Sequence, residues 1–477
     1  MSTQWETVIG LEVHAQLKTN TKLFCSCPNE FGGEPNTRTC PVCIGMPGAL
    51  PVINNHAVSL AVQAGLAMGC RINTASLFSR KSYFYYDLPN GYQTSQWEPP
   101  ICEEGMVEIT ADRGPTPIRI NRIHLENDAG KCLHEGANTN FIDLNRAGTP
   151  LIEIVSEPDL RSAEEAAEFM RHLRRMLMYL GITDGNMEEG SMRCDVNISL
   201  RPKGSKEYGI RSELKNLNSF NSILDATRYE IERHTDVLNS GGVIDQETRH
   251  YDPDTGTTSS MRSKEDAPDY RYFPCPDLPP VLVSAEFIED VRKNMPELPE
   301  ARQKRFEESL GLNSEESAIL VGSAELAGYF EAALALHNNA KRIATLILGD
   351  LLPECSRRGI EWQNAGFGPE RLAYTAKMVD EGKVSLKVVH DIFAELLTGT
   401  DSVEKLAEKK GLLQVSDSGA LEEAVLKAIA DNPTETEAYR GGKTKLLSFF
   451  VGQVMRATKG AGNPGVINEL LKKHLEG

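Results

Sequence analysis

Residues 122–159 read RIHLENDAGKCLHEGANTNFIDLNRAGTPLIEIVSEPD, and this stretch decides the fold. From 123 to 128 apolar and polar side chains alternate, as they do in a strand whose successive side chains point to opposite faces. The segment 151–155 alternates in the same way. Two acids, Glu126 and Glu153, are therefore predicted on half-buried sheet faces, where an ionised carboxylate is costly unless a cation compensates its charge.

Three further segments, 8–14, 192–200 and 211–215, show the same alternation. One such segment alone is more simply a half-exposed strand with a solvated polar face. Five together predict a cluster of oxygen-rich ligands, which suits Mg²⁺ beside substrate phosphates. The polar faces of the five predicted strands carry Glu12, His14, His124, Glu126, Asp128, Glu153, Arg193, Asp195, Asn197, Ser199, Glu213 and Lys215.

The 477-residue length predicts two to four domains. The net charge of −17 argues against indiscriminate binding of nucleic acid, but it leaves room for a local basic patch. No apolar run approaches the length of a membrane span, and the N-terminal segment has neither a secretory signal nor an Arg- and Ser-rich leader. We therefore expect a cytoplasmic protein with reduced thiols.

Four of the ten cysteines fall within nineteen residues, as a C-x-C pair and a C-x₂-C pair. Such spacing in a reducing compartment predicts a four-thiolate zinc site, and four protein ligands leave no position open for water, so the metal would be structural. The alternatives are four unligated thiols or a disulfide pair. The proposed zinc ligands are Cys25, Cys27, Cys40 and Cys43.

The stretch 80–93 places several aromatic side chains beside Arg80 and Lys81. Aromatic rings next to cations suit stacking on a base and contact with phosphate. The alternative is a strand whose aromatic side chains pack in the core, and the residue pattern leaves both open.

Helices are predicted at 56–70, 162–181 and 219–239, the last two capped by Ser162 and by Ser219 or Asn221. From residue 295 the alternation gives way to helical spacing, so we predict a helical domain at 295–400 and a helical tail domain at 401–477. The tail is basic from residue 440 onward, which suits contact with a phosphate backbone or is an ordinary solvated face. Its candidate RNA-binding residues are Arg440, Lys443, Lys445, Arg456 and Lys459.

The chain has no phosphate-binding P-loop, no dinucleotide-binding glycine fingerprint and no serine nucleophile elbow. Its longest distinctive strings are IGLEVH at 9–14, DLNRAGTPLIE at 143–153, MEEGSMRCDVN at 187–197 and ELKNLNS at 213–219. Together these strings resemble the GatB family, the GatB subunits of the aspartyl/glutamyl-tRNA(Asn/Gln) amidotransferases, and the resemblance runs from residue 4 to the C-terminus.

The resemblance implies an α+β fold: a largely antiparallel cradle domain at 1–294, related in shape to the glutamine synthetase core, followed by all-helical and tail domains. It implies an enzyme that uses ATP to phosphorylate the side-chain carboxylate of Glu-tRNA(Gln) or Asp-tRNA(Asn). Ammonia then displaces phosphate. It also implies an amidase-like A subunit that releases ammonia from glutamine, and a small C subunit, in a heterotrimer.

By this resemblance the metal cluster is Glu12, His14, Glu126 and Glu153, and these four are the catalytic candidates. Strand periodicity adds Asp195 and Glu213 as ligands of Mg²⁺. Charge alone suggests phosphate contacts at Lys81, Arg193 and Lys215. The four cysteines match the zinc-binding version of the family.

Two other functions are compatible with parts of this sequence. A stand-alone ligase that joins ammonia or an amine to a free acid would use the same acidic sheet without a tail for tRNA. The other is a non-catalytic tRNA-binding module with a structural metal, against which we predict that Glu12→Gln leaves the fold intact but removes ATP-dependent activity.

Overall fold

The structure is a computed structural model, and it describes residues 4–134, 140–263, 269–413, 418–458, 462 and 464–476 of the chain. The chain forms two compact units, the first ending at Leu298 and the second beginning at Pro299. Among the described residues no single helix is long and apolar enough to cross a membrane. Only the pair Ser314–Leu320 and Ala324–Leu336, bent by 110°, meets the requirement for length and composition when taken together.

Strands dominate the first unit. They are Trp5–Gln16 (β1), Arg71–Ile72 (β2), Ala75–Ser76 (β3), Phe78–Ser82 (β4), Tyr92–Gln96 (β5), Cys102–Ala111 (β6), Gly114–Asn127 (β7), Lys131–His134 (β8), Asn140–Asp143 (β9), Pro150–Ser156 (β10), Met192–Pro202 (β11), Ser212–Leu217 (β12), Glu247–Asp252 (β13), Thr257–Ser263 (β14), Phe273–Pro274 (β15) and Val281–Leu282 (β16).

Helices are few in the first unit and make up the second. They are Asn55–Ala67 (α1), Ala163–Tyr179 (α2), Phe220–Asn239 (α3), Ala285–Asn294 (α4), Pro299–Leu310 (α5), Ser314–Leu320 (α6), Ala324–Leu336 (α7), Ala340–Leu346 (α8), Leu352–Arg358 (α9), Pro369–Asp380 (α10), Leu386–Thr398 (α11), Val403–Lys409 (α12), Ser418–Ala430 (α13), Pro433–Arg440 (α14), Leu447–Ala457 (α15) and Pro464–Glu476 (α16).

The main sheet has twelve strands, and its principal order is β14-β13-β12-β11-β1-β10-β7-β5-β4-β15. Every pair is antiparallel except β12 and β13, which are parallel. Together with the helices this confirms the α+β class. The five segments predicted as strands with a polar face are β12, β11, β1, β10 and β7, and they are consecutive neighbours in the sheet.

One face of the sheet is closed by helices, because the apolar residues of the alternating strands all point to that side. Ile9, Leu11 and Val13 of β1 are almost completely buried there, in one core with the apolar side chains of α1, α2 and α3. Burial of this area is the main stabilising contribution to the first unit. The opposite face is left for the polar side chains.

The predicted helix caps are confirmed where the sequence named them. Ser162 Oγ accepts a hydrogen bond from the backbone N–H of Glu165 at the start of α2, and Ser219 does the same for Ser222 at the start of α3. Each satisfies one of the backbone donors that a helix leaves unpaired at its first turn.

The second unit has two separate apolar cores. Phe306, Phe330 and Phe393 lie in the first of them, and Phe450 lies in the second with Leu421 and the C-terminal helix α16. The helical character predicted after residue 295 is therefore present.

Candidate functional site

A pocket of about 470 Å³ lies on the polar face of the sheet, across β12, β11, β1, β10, β7 and β4. The strand registers explain why its side chains meet. His14 on β1 is opposite Glu153 on β10, and Glu153 is opposite His124 on β7, so three polar side chains form one row across three strands. On the other side of β1, Glu12 is opposite Asp195 on β11.

The first group of ligand side chains in this pocket is His14, Glu126 and Glu153, which each bring one ligand atom within 4.8 Å of the others. His14 Nε2 lies 3.3 Å from Glu153 Oε2. His124 Nε2 lies between the two acids, 3.2 Å from Glu126 Oε1 and 3.5 Å from Glu153 Oε2. Gln93 Nε2 donates to Glu126 Oε2 at 3.0 Å. Both carboxylates are buried, so their charge must be compensated locally.

The second group is Glu12, Asp195 and Glu213, whose ligand atoms also lie within 4.8 Å of one another. Asn197 Nδ2 donates to Glu12 Oε1 at 2.9 Å, and Thr248 Oγ1 donates to Glu213 Oε2 at 2.7 Å. These amide and hydroxyl donors orient the carboxylates toward the pocket. The pocket thus holds two neighbouring three-ligand groups.

The acids of the two groups repel one another. Burial and the nearby charges of Glu153, Glu213 and Asp195 raise the pKa of Glu12. At Glu153 burial acts in the same direction, but the charge of His124, the hydrogen bond from His14 and the charge of Lys81 outweigh it, so the pKa of Glu153 is lowered. The pocket therefore attracts cations.

Cationic side chains already line both ends of the pocket. Lys215 Nζ contacts Asp195 Oδ2 at 2.5 Å and Glu213 Oε1 at 2.9 Å, and Lys81 stands 4.9 Å from the ring centre of Tyr270. Burial lowers the pKa of each lysine, but neighbouring carboxylates outweigh it, so the pKa of both ammonium groups is raised and they stay charged. Arg211, which the sequence reasoning did not single out, also lines the pocket.

Arg193 is placed differently from the two lysines. Its Nη2 donates to Asp128 Oδ1 at 3.0 Å, and its side chain is not part of the pocket lining. Asp128 also accepts from Gln16 Nε2 at 2.8 Å and lies 3.8 Å from Arg146 Nε. Asp128 shares a face with Glu126 as predicted, yet its partners make it part of a buried ion-pair network beside the pocket.

The donor set fits Mg²⁺. Five carboxylates and one imidazole converge from five strands, and carboxylate oxygens are the ligands that this ion takes together with water and phosphate. The raised pKa of Glu12 reflects an excess of negative charge that a divalent cation would neutralise.

Comparison with known proteins identifies the fold that carries this pocket. The family model described as "GatB/GatE catalytic domain" matches residues 7–289, and the model described as "GatB domain" matches residues 328–475. The chain belongs to the GatB family. This confirms the resemblance seen in the sequence.

Individual relatives are similar over their whole length. Proteins from Oleidesulfovibrio alaskensis and Solidesulfovibrio magneticus, each named as the B subunit of an aspartyl/glutamyl-tRNA(Asn/Gln) amidotransferase, are each 53% identical to this chain over 99% of both sequences. The protein of the same name from Syntrophotalea carbinolica is 50% identical over all 477 residues.

The four cysteines of this GatB chain converge into one cluster. Each Sγ lies within 4.8 Å of the others, and Cys40 Sγ and Cys43 Sγ are 3.9 Å apart. A tetrahedron with Zn–S bonds of about 2.3 Å has edges of about 3.8 Å, so the spacing suits zinc. All ten cysteines are free thiols, which excludes the disulfide alternative in this structure. A hydrogen bond from Cys25, the Cys40 backbone N–H and the charge of buried Lys22 lower the pKa of Cys43.

The cysteine loop is attached to β9 and to the segment between β9 and β10. Asn36 Nδ2 donates to the carbonyl of Ile142 at 2.8 Å, and the backbone N–H of Arg38 donates to Asn145 Oδ1 at 2.8 Å. Asn145 Nδ2 returns a bond to the carbonyl of Glu34 at 2.8 Å. A loop with little core of its own is thereby coupled to the strand that carries Glu153.

The aromatic stretch after Lys81 is not a core strand. Strand β4 ends at Ser82, and Phe84, Tyr85 and Tyr86 are exposed, so the alternative in which they pack in the core is wrong. Rings that do line the pocket come from elsewhere: Trp97, Tyr270 and Tyr272.

The basic residues of the tail lie on the surface of the second unit. Lys443, Lys445 and Arg456 are exposed. Arg440 is exposed as well, but its guanidinium donates to the carbonyls of His474 and Leu475 at 3.3 and 3.2 Å, so it also caps the C-terminal end of α16. Lys459 lies outside the described residues.

Sequence reasoning missed several pocket residues. The sequence could have indicated Arg122, because it lies two residues before His124 and so shares the strand face of His124 and Glu126. Arg211 had the same kind of signal, since it continues the odd-numbered face of Glu213 and Lys215. Gln246 and Thr248 had none, because the pairing of β12 with β13 brings that part of the chain beside Glu213.

Proposed function

We propose that this chain is the subunit of a glutamine-dependent amidotransferase that activates and amidates the side-chain carboxylate of Glu-tRNA(Gln) or Asp-tRNA(Asn). A carboxylate is a poor acyl donor. The carboxylate oxygen attacks the γ-phosphorus of ATP, ADP leaves, ammonia attacks the acyl carbon, and phosphate leaves with the formation of the amide. The observation that supports this most is the pocket with two adjacent three-ligand groups between cationic side chains.

In this proposal Glu12, His14, Glu126, Glu153, Asp195 and Glu213 hold Mg²⁺. The ion would neutralise charge on the phosphate oxygens in phosphoryl transfer. Lys81 and Lys215 contact phosphate oxygens from opposite ends of the pocket. We assign a third contact to Arg211, because the Arg193 guanidinium is bound to Asp128.

The remaining parts of the chain have supporting roles in the proposal. The four cysteines hold a structural zinc ion. The first unit is the cradle domain, and the helices after residue 295 form the helical domain and, from 401, the tail that contacts tRNA. An amidase-like A subunit supplies ammonia, a small C subunit completes the complex, and the assembly works in the cytoplasm. Family membership favours this function over a stand-alone ligase.

The test uses the chain in complex with its co-purified partners. Glu-tRNA(Gln) or Asp-tRNA(Asn), ATP, Mg²⁺ and ammonium are supplied, and conversion of the esterified amino acid is followed. Hydroxylamine in place of ammonium should trap the acyl phosphate as the side-chain hydroxamate, which forms only with ATP, whereas its cleavage of the ester gives the α-hydroxamate with or without ATP. Free glutamate should not react; its amidation would instead support the ligase function.

A further inference from the structure

An aromatic pair stands at the rim of the pocket beside the His14, Glu126 and Glu153 group. Trp97 and Tyr272 are stacked nearly parallel, with ring centres 4.6 Å apart and an angle of 12° between the planes. Trp97 nevertheless keeps 38% of its surface exposed, so the stack is accessible from the pocket. A further planar ring would stack on an outer face of this pair, either that of Tyr272 or that of Trp97, where the Arg122 guanidinium lies 5.3 Å from the ring centre.

Arg122 joins this pair to the ligand group. Its guanidinium carbon is 5.3 Å from the centre of the Trp97 ring, and its Nη2 is 3.9 Å from Glu153 Oε1. Its Nε is buried and has no hydrogen-bond partner among the described residues. A donor left unpaired in this position costs free energy unless a ligand accepts from it. The Arg122 guanidinium therefore lies between the aromatic pair and Glu153. Its Nε–H is a donor that a ligand bound there could pair with.

The opposite end of the pocket differs in character. There Glu12, Asn197 and Arg211 also border a neighbouring groove of about 520 Å³, which is lined as well by Ile210, an exposed apolar residue. Phosphates beside Arg211 and Lys215 would place the nucleoside of ATP at this end. The aromatic pair at the opposite end is then available to the other substrate, the aminoacyl-tRNA.

We propose that Trp97 and Tyr272 stack the adenine of the 3′-terminal adenosine of the aminoacyl-tRNA. This inference rests on the proposed function. The amino acid is esterified to the ribose of that adenosine, and the glutamate side chain spans on the order of 6 Å from its carboxyl carbon to the ester oxygen. A carboxylate at the Glu153 group thus brings the adenine to the rim. Aromatic side chains bind unpaired bases by stacking, often with arginine beside them.

The kinetic test compares Trp97→Ala and Trp97→Phe in the complete complex, with Trp5→Ala as the matched control. Trp5 is in the same unit, outside the residues that line the pocket, and its indole Nε1 donates to Asn239 Oδ1 on the surface at 2.9 Å. Trp97→Ala should raise the KM for Glu-tRNA(Gln) about tenfold, equivalent to about 1.4 kcal/mol, and leave the KM for ATP unchanged. Trp97→Phe should restore most of the affinity. A rise in the KM for ATP alone, or no rise in either, overturns the assignment.

A binding measurement tests the same contact without turnover. The chain has three tryptophans, so Trp5→Phe with Trp362→Phe leaves Trp97 as its only indole. The trinucleotide CpCpA should quench its emission more strongly than CpCpU or ATP with Mg²⁺. Quenching by ATP but not by CpCpA contradicts the inference. An inactive wild-type complex would refute the proposed function, while this titration would still decide whether the platform binds adenine.

Discussion

Glu230 should stabilise the first unit strongly, and in a pH-dependent manner. Its side chain is fully buried on α3. Arg233 Nη2 lies 2.8 Å and Arg249 Nε 3.0 Å from its carboxylate, His234 Nε2 lies 3.3 Å away, and the hydroxyl of Thr258 donates to it. Burial raises the pKa of Glu230, but the hydrogen bonds from His234, Arg233 and Thr258 outweigh it and lower the pKa from 4.5 to about 2.

The magnitude follows from linkage. A carboxyl group whose pKa is lower in the folded protein stabilises the fold above its unfolded pKa. That contribution is lost as the pH falls from about 5 toward 2. The difference between 4.5 and about 2, at about 1.36 kcal/mol per pKa unit, is about 3 kcal/mol. Glu230→Gln should therefore lower the free energy of unfolding at pH 7 by about 3 kcal/mol, since it leaves two arginines short of a buried partner.

Urea unfolding in a Trp362→Phe background measures this, because Trp5 and Trp97 then report on the first unit alone. The difference in unfolding free energy between wild type and Glu230→Gln should be largest at pH 7 and shrink steadily below pH 5. Glu232→Gln changes an exposed acid two residues away and should have little effect. A difference that stays constant down to pH 3, or a Glu230→Gln protein as stable as wild type at pH 7, would refute the reasoning.

Three other predictions concern the proposed site, the metal and the tail. Glu12→Gln and Glu153→Gln should each lower ATP-dependent amidation at least about 100-fold. The melting temperature of Glu12→Gln should change little, because burial and like charges already raise the pKa of Glu12, whereas Glu153→Gln should lower the melting temperature as well, because it removes the buried partner of His14 and His124. Glu108→Gln on the exposed face of β6 should stay fully active; normal turnover by either of the first two variants would remove that residue from the metal site. Cys40→Ser should reduce the zinc content, measured by elemental analysis, from about one ion per chain to almost none. Cys132 lies outside the cluster, so Cys132→Ser should retain the zinc. Equal zinc content in both variants would contradict the four-thiolate site. A triple variant with Lys443→Glu, Lys445→Glu and Arg456→Glu should raise the KM for Glu-tRNA(Gln) and make this KM less dependent on salt concentration, while the KM for ATP stays the same. An unchanged salt dependence would show that this face of the tail is solvated and does not contact RNA.

Much of the pocket was accessible to sequence reasoning because a strand displays its side chains with period two. The spacing of Glu12 and His14, or of Glu213 and Lys215, shows that each pair shares a face, and the described strands have these faces. Helix starts were predictable from local sequence as well, since Ser162 and Ser219 cap the helices that follow them.

Charge alone was a weaker guide. Arg193 shares a face with Asp195, yet its guanidinium bonds to Asp128, 65 residues earlier in the chain. No local pattern distinguishes an arginine that contacts substrate from one that neutralises a buried acid. The difference depends on which strand lies opposite, and therefore on register.

The sequence by itself determined which side chains face away from the core, because periodicity is a local property of the backbone. It also indicated the family, because four long strings of residues in this chain resemble those of GatB proteins. Only the tertiary structure decided which of those faces meet: the order β12-β11-β1-β10-β7 unites segments from residue 12 to residue 215. The stacking of Trp97 on Tyr272 and the placement of Arg122 between that pair and Glu153 are likewise non-local, since strand pairing and ring contacts join residues that no spacing along the chain relates.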